Sequence, residues 1–113
     1  MSKKNKNIIN VENDNIDIIL KKSNKLILLD FWASWCNPCK IQLSIIEEIY
    51  IEYYKKIEIY KINIDYNKNT VLKYNIKSIP TIFFFKCKKL LYKTNGIKNK
   101  KDLCNLINKF SEF

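Results

Sequence analysis

Apolar positions along this chain follow two rhythms, and the switches between them outline its elements. Leu26–Trp32 is apolar throughout except at Asp30, the pattern of a strand covered on both faces of a sheet. Thr81–Lys86 is a second such run, and Leu90–Lys93 pairs with it as a hairpin across Cys87–Lys89. Ile57–Ile64 alternates apolar and polar residues, and Asn7–Val11 supplies a short first strand. Helical spacing takes over elsewhere. Ile16, Ile19 and Leu20 mark a helix over Asn13–Lys22, with Asn13 or Asp14 as its N-cap. Leu43, Ile46, Ile49, Tyr50 and Tyr53 line one side of a long helix over Pro38–Lys55. Asn67–Tyr74 is a short helix, and Leu103, Leu106, Ile107 and Phe110 share one face of a last helix, Lys100–Phe110. The order β-α-β-α-β-α-β-β-α predicts an α/β domain, a central mixed sheet with helices on both faces. Residues 1–6 read as a flexible polar tail and 7–113 as a single domain.

Composition changes this picture little. Lys, Ile and Asn, at 21, 20 and 15 residues, fill half of the 113 positions, and all three have A- and T-rich codons. Against that bias the single glycine (Gly96) and the two prolines (Pro38, Pro80) gain weight, because each supplies a backbone property that Asn or Lys does not. The net charge of +10 comes from scattered lysines with no arginine and no long basic run, so the chain reads as neither a nucleic-acid nor a membrane-surface binder. Zinc is disfavoured too. There is no histidine, and Cys87 and Cys104 are too far apart to form a second close pair beside Cys36 and Cys39. With no signal-like apolar stretch near the start and no run long enough to span a membrane, the cytoplasm is the expected location.

The chemistry concentrates in Asp30-Phe-Trp-Ala-Ser-Trp-Cys-Asn-Pro-Cys-Lys40, where the buried strand gives way to the long helix. A Cys-x-x-Cys at a helix N-terminus puts its first sulfur beside unsatisfied backbone N–H groups and the positive end of the helix dipole. Both favour the thiolate, so Cys36 should titrate below the about 8.5 of a free thiol. Cys39 lies one turn further along, placed to attack a mixed disulfide formed on Cys36. Pro38 is tolerated in a first turn, where N–H groups lack intrahelical partners anyway. Asp30, a carboxylate inside an apolar strand, should have a raised pKa from desolvation.

These residues resemble the thioredoxin family over nearly the whole chain. The segment from Asp30 to Lys40 is similar to the family's active-site segment, Ser78-Ile-Pro-Thr81 to its cis-proline loop, and Gly96 to its glycine after the last strand. The resemblance implies the thioredoxin fold and a protein disulfide reductase. Cys36 would be an exposed nucleophile, Cys39 a buried resolving thiol, Asp30 the group that moves the Cys39 proton, and Lys61 its supporting lysine. It implies a cis bond before Pro80 and a flat apolar docking surface of Trp35, Asn37, Pro38, Ile64, Ile79, Pro80 and Gly96. It also implies a monomer with no metal or bound cofactor, acting on disulfide-bearing proteins. Such a protein is re-reduced by an NADPH-dependent thioredoxin reductase. The alternatives are a more oxidising or specialised thiol-redox protein of the same fold, or a non-catalytic binding subunit.

Four departures from the family pattern stand out. Asn37 replaces the usual glycine between the cysteines, Ser44 a helix-kinking proline, Asn95 an apolar docking residue, and Cys87-Lys-Lys an Asn-Gly-like turn. Cys87 reads as an exposed turn residue and Cys104 as a small packing or surface residue, neither of them catalytic.

Overall fold

The computed structural model describes residues 7–112, so the expected tail at residues 1–6 lies outside them. The elements are β1 (Ile8–Val11), α1 (Ile16–Lys22), β2 (Leu26–Trp32), α2 (Asn37–Tyr53), β3 (Ile57–Asn63), α3 (Lys68–Lys73), β4 (Thr81–Lys86), β5 (Lys89–Asn95) and α4 (Lys100–Phe110). They build one five-stranded sheet in the order β1-β3-β2-β4-β5. β1, β3 and β2 run parallel, while β4 is antiparallel to β2 and β5 to β4. β2 is the central strand, which is why it is apolar on both sides.

Its alternation sorts the core into two layers. Leu26 and Leu28 pack with Ile46 and Ile49 of α2 and with Leu103, Ile107 and Phe110 of α4. Ile27, Leu29 and Phe31 face the other way, against Ile16 and Leu20 of α1 and Tyr74 just after α3. This is the thioredoxin fold, a mixed sheet with helices on both faces. The parity of β2 puts Asp30 and Trp32 on the α2 side, and the register sets Lys61 of β3 beside Asp30.

The structure corrects three local expectations. Asn13 and Asp14 are left-handed, with φ of 56° and 57°, so neither can adopt the extended backbone of an N-cap. Asn15 occupies the cap of α1, without a side-chain bond. The Asp14 carboxylate instead accepts hydrogen bonds from the backbone N–H (2.9 Å) and hydroxyl (2.8 Å) of Thr70, capping α3 from across the sheet edge. Those bonds, the backbone one first, hold its pKa below the usual carboxylate value. The hairpin turn is tighter than Cys87–Lys89. Cys87 and Lys88 alone form it, both left-handed (φ 50° and 69°), and Lys89 already belongs to β5. A bulge follows, because Phe84 pairs with Tyr92 and Phe85 with Leu90, which leaves Leu91 over to pack on the core. Finally, α2 ends at Tyr53, two residues early, and runs unbroken past Ser44.

Candidate functional site

Cys36 is the N-cap of α2, with an extended backbone (φ −96°, ψ 104°), and Pro38 lies in the first turn. The Cys36 sulfur accepts the Cys39 N–H at 3.2 Å, so the first sulfur does take up an orphan donor of the helix. The two cysteines are joined in a disulfide with their Cα atoms 5.3 Å apart. Cys36 is less open than expected. It is 5 % exposed and Cys39 3 %, because Ala33, Trp32, Ile64 and Ile79 pack around the pair. A partner reaches this sulfur only by seating itself among those side chains.

Asp30 is fully buried, and neither carboxylate oxygen has a hydrogen-bond partner among the described residues. Burial pushes its pKa up to about 7, against the opposing pull of the Lys61 charge. Lys61 is the register partner of Asp30 but forms no ion pair with it. Its ammonium lies 4.0 Å from the ring centroid of the half-buried Trp32, a cation–π contact. Asp30, Trp32, Lys61, Leu43 and Cys39 border a cavity of about 50 Å³. A water occupies about 30 Å³ in the liquid, so the cavity has room for one.

The residues expected to dock a partner gather around the disulfide, though not all on its surface. Trp35 is 65 % exposed, Asn37, Pro38 and Gly96 are exposed, and Ile64 and Ile79 are half-buried. Pro80 is buried, which corrects its placement on the open face: its ring lies within the fold, so it shapes the face from beneath. The Ile79–Pro80 bond is cis. The Pro80 carbonyl accepts the Gly96 N–H at 2.9 Å, and the Thr81 hydroxyl donates to the Ser78 carbonyl at 2.7 Å. Gly96 has φ 77°, a conformation that favours glycine, although a Cβ there would meet nothing within 4 Å. The N–H and C=O of Ile79 take no backbone hydrogen bond among the described residues, so they are available to an incoming chain.

Sequence reasoning passed over three residues. Asp65 accepts the Trp35 indole N–H at 2.9 Å and orients that exposed ring. The signal was Trp35 itself, whose one polar atom seeks a partner wherever the ring lies. Gln42 is buried, and its amide closes two bonds with the Lys98 backbone, accepting at 2.7 Å and donating at 3.1 Å. It thereby ties the loop after Gly96 to α2. Its position between Cys39 and Ile46 on the buried stripe was visible, but its partner was not. Asn67, also buried, accepts the Asp14 N–H and donates to the carbonyls of Val11 and Asn63, holding the ends of β1 and β3 together. Among the described residues no group of three or more His, Cys, Asp or Glu side chains could hold a metal ion, and no helix is long and apolar enough to cross a membrane.

Fold and site together define a protein whose cysteine pair, at the carboxyl end of the central strand, forms a disulfide. Comparison with known proteins agrees. The thioredoxin family profile matches residues 7–109. A thioredoxin from Buchnera aphidicola subsp. Baizongia pistaciae is 46% identical over 87 residues, covering 77% of this chain and 80% of the relative. One from Acidithiobacillus ferridurans is 43% identical over 96 residues, covering 85% and 89%. The crystal structure of chloroplastic thioredoxin z superposes with a TM-score of 0.85 over 94% of this chain and 96% of that one, at 19% identity, a likeness of fold. The chain belongs to the thioredoxin family.

Proposed function

We propose that the protein is a general protein disulfide reductase working by dithiol–disulfide exchange. In the reduced protein the Cys36 thiolate attacks one sulfur of a substrate disulfide. The substrate S–S bond breaks, a mixed disulfide forms on Cys36, and one substrate thiolate leaves and is protonated by solvent. Cys39 gives its proton to the Asp30 carboxylate and attacks the Cys36 sulfur. The mixed disulfide breaks, the second substrate thiolate leaves, and the Cys36–Cys39 disulfide remains. Two electrons have passed from protein to substrate.

The observation that carries this reading is the unpartnered Asp30 carboxyl sharing a small cavity with Cys39. A carboxyl titrating at about 7 is part ionised at neutral pH, so it can take a proton and return it. One water in the cavity would complete the path. Lys61 supports Asp30 through its positive charge. The docking face is Trp35, Asn37, Pro38, Ile64, Ile79 and Gly96 over Pro80, with the Ile79 backbone pairing to an extended substrate segment. No cofactor is bound. Electrons come from NADPH through a thioredoxin reductase, which returns the disulfide to the dithiol. The protein acts as a monomer in the cytoplasm, a compartment that favours the dithiol.

The test is reduction of insulin disulfides, first with dithiothreitol as donor and then with NADPH and a thioredoxin reductase. Cys36→Ser should abolish turnover, and Cys39→Ser should accumulate the mixed disulfide. A Cys36→Ser/Cys39→Ser protein as active as the parent would sink the redox reading. The reduction potential addresses Asn37. A value near the about −270 mV usual for thioredoxins fits a general reductase. One tens of millivolts higher points to the more oxidising alternative.

A further inference from the structure

A second groove opens beside the cis-proline loop, on the β5 side of the disulfide. It measures about 220 Å³, and its rim includes Asn75, Lys77, Ser78, Lys93 and Asn95, over a floor that includes Phe83. Register explains its make-up. Lys93 pairs with Phe83 and Asn95 with Thr81, so side chains of the edge strand β5 and of its neighbour β4 share this face. Both lysines are exposed, no carboxylate lines the groove, and neither lysine has an ion-pair partner among the described residues. The loop beneath is held by the Thr81–Ser78 and Gly96–Pro80 hydrogen bonds, so the groove is built before any partner arrives. On the other side of the disulfide, toward β1 and β3, Glu12 lines a separate cavity with Trp32, and Asp65 accepts the Trp35 indole N–H. Two carboxylates thus stand on the β1 side of the disulfide, and two lysines on the β5 side.

From this asymmetry we infer that the groove selects substrate segments carrying Asp or Glu next to the reactive cysteine, and that Lys77 and Lys93 receive those carboxylates. The inference rests on the disulfide-reductase reading. Lys77 lies two residues before Ile79. A chain extended along Ile79 advances about 3.3 Å per residue, so a side chain one or two residues from its paired position lies beside the groove. Lysines at such a rim act mainly on encounter and selection, and the contribution falls as salt rises. The occupant is an acidic polypeptide segment, since the groove's amides and hydroxyl suit carboxylates and an extended backbone alike.

The experiment compares disulfide-linked peptides identical except for Glu, Ser or Lys flanking the cysteine, reduced by the full-length dithiol protein in single turnovers. The Glu peptide should react about tenfold faster than the Lys peptide at low ionic strength, and 0.5 M salt should erase most of the difference. In Lys77→Glu/Lys93→Glu the ratio should fall to unity or invert. In Lys55→Glu/Lys56→Glu the ratio should persist, although the net charge changes equally. Those two lysines follow α2, a helix of 17 residues and so about 25 Å from the disulfide at its start. An equal rate for all peptides with the parent protein overturns the inference. So does a ratio lost equally in both variants, which would assign it to net charge. If the parent reduces none of the peptides, it is the disulfide-reductase reading that fails.

Discussion

Asp30 and Gln42 lie on the same side of the sheet, both near Cys39, and both are wholly buried. Their surroundings differ completely. Gln42 spends both ends of its amide on the Lys98 backbone, whereas neither oxygen of Asp30 has a partner among the described residues. A buried amide with its bonds made is close to neutral for stability, while a buried carboxylate without them opposes the fold as soon as it ionises. The pair separates two kinds of buried polar group: Gln42 holds a loop, whereas Asp30 is left with a raised pKa, as the proposed proton transfer requires. Asn67, buried at the far edge with three bonds, belongs with Gln42.

Asp30→Asn should have the largest effect and runs against intuition. The folded pKa of about 7 lies above the unfolded value of 3.8, so between these pH values the native state keeps a proton that the unfolded chain has released. Stability therefore declines as pH rises from about 4 to about 7 and is flat above that. Three pKa units correspond to about 4 kcal/mol, so Asp30→Asn should be more stable than the parent by up to that amount at pH 8 and equal to it at pH 3. Urea unfolding of the oxidised protein at the two pH values measures this. Exchange with substrate should slow in the same variant. A gain that did not depend on pH would mean that burial does not raise the Asp30 pKa above its unfolded value.

Asn67→Ala comes next, in the opposite direction. It leaves the half-buried Asp14 N–H without its acceptor and removes a donor from the Val11 and Asn63 carbonyls, for a loss of about 3 kcal/mol, and amide exchange should quicken around Val11 and Asp14. Gln42→Ala should cost about 2 kcal/mol, with loss of protection at the Lys98 amide. If Gln42→Ala cost nothing, the contrast with Asp30 would collapse. The smallest change tests the same rule on a group with no chemistry. Thr94 is buried and its hydroxyl has no partner among the described residues, so Thr94→Val should stabilise by about 1 kcal/mol, read as a rise in Tm.

How much of this was legible in the chain varies with the range of the interaction. The element order, the apolar central strand, the helix start at Cys36 and the anomaly of a carboxylate at Asp30 are local properties. They depend on period, on neighbouring residue types and on the geometry of a helix end, all of which a sequence displays. The cis bond before Pro80 was legible because the resemblance of its loop to the family motif is local as well. Asp14 shows the limit. An acidic residue before a helix reads as that helix's cap, yet its partner, Thr70, lies 56 positions away.

By itself, then, the chain determined the alternation of strands and helices, the burial of β2 on both of its faces, and the place where its redox chemistry would sit. Tertiary structure alone decided which buried polar groups found partners. Gln42 met Lys98, Asn67 met Val11 and Asp14, and Lys61 met the face of Trp32 while leaving Asp30 unbonded. It also decided that Cys36 would be sheltered by Ile64 and Ile79, and that Lys77 and Lys93 would share one groove. The reason is physical. Period and propensity act over a few residues, whereas a hydrogen bond, a desolvation penalty or a charge pair depends on which distant segments the packed sheet brings within a few ångströms.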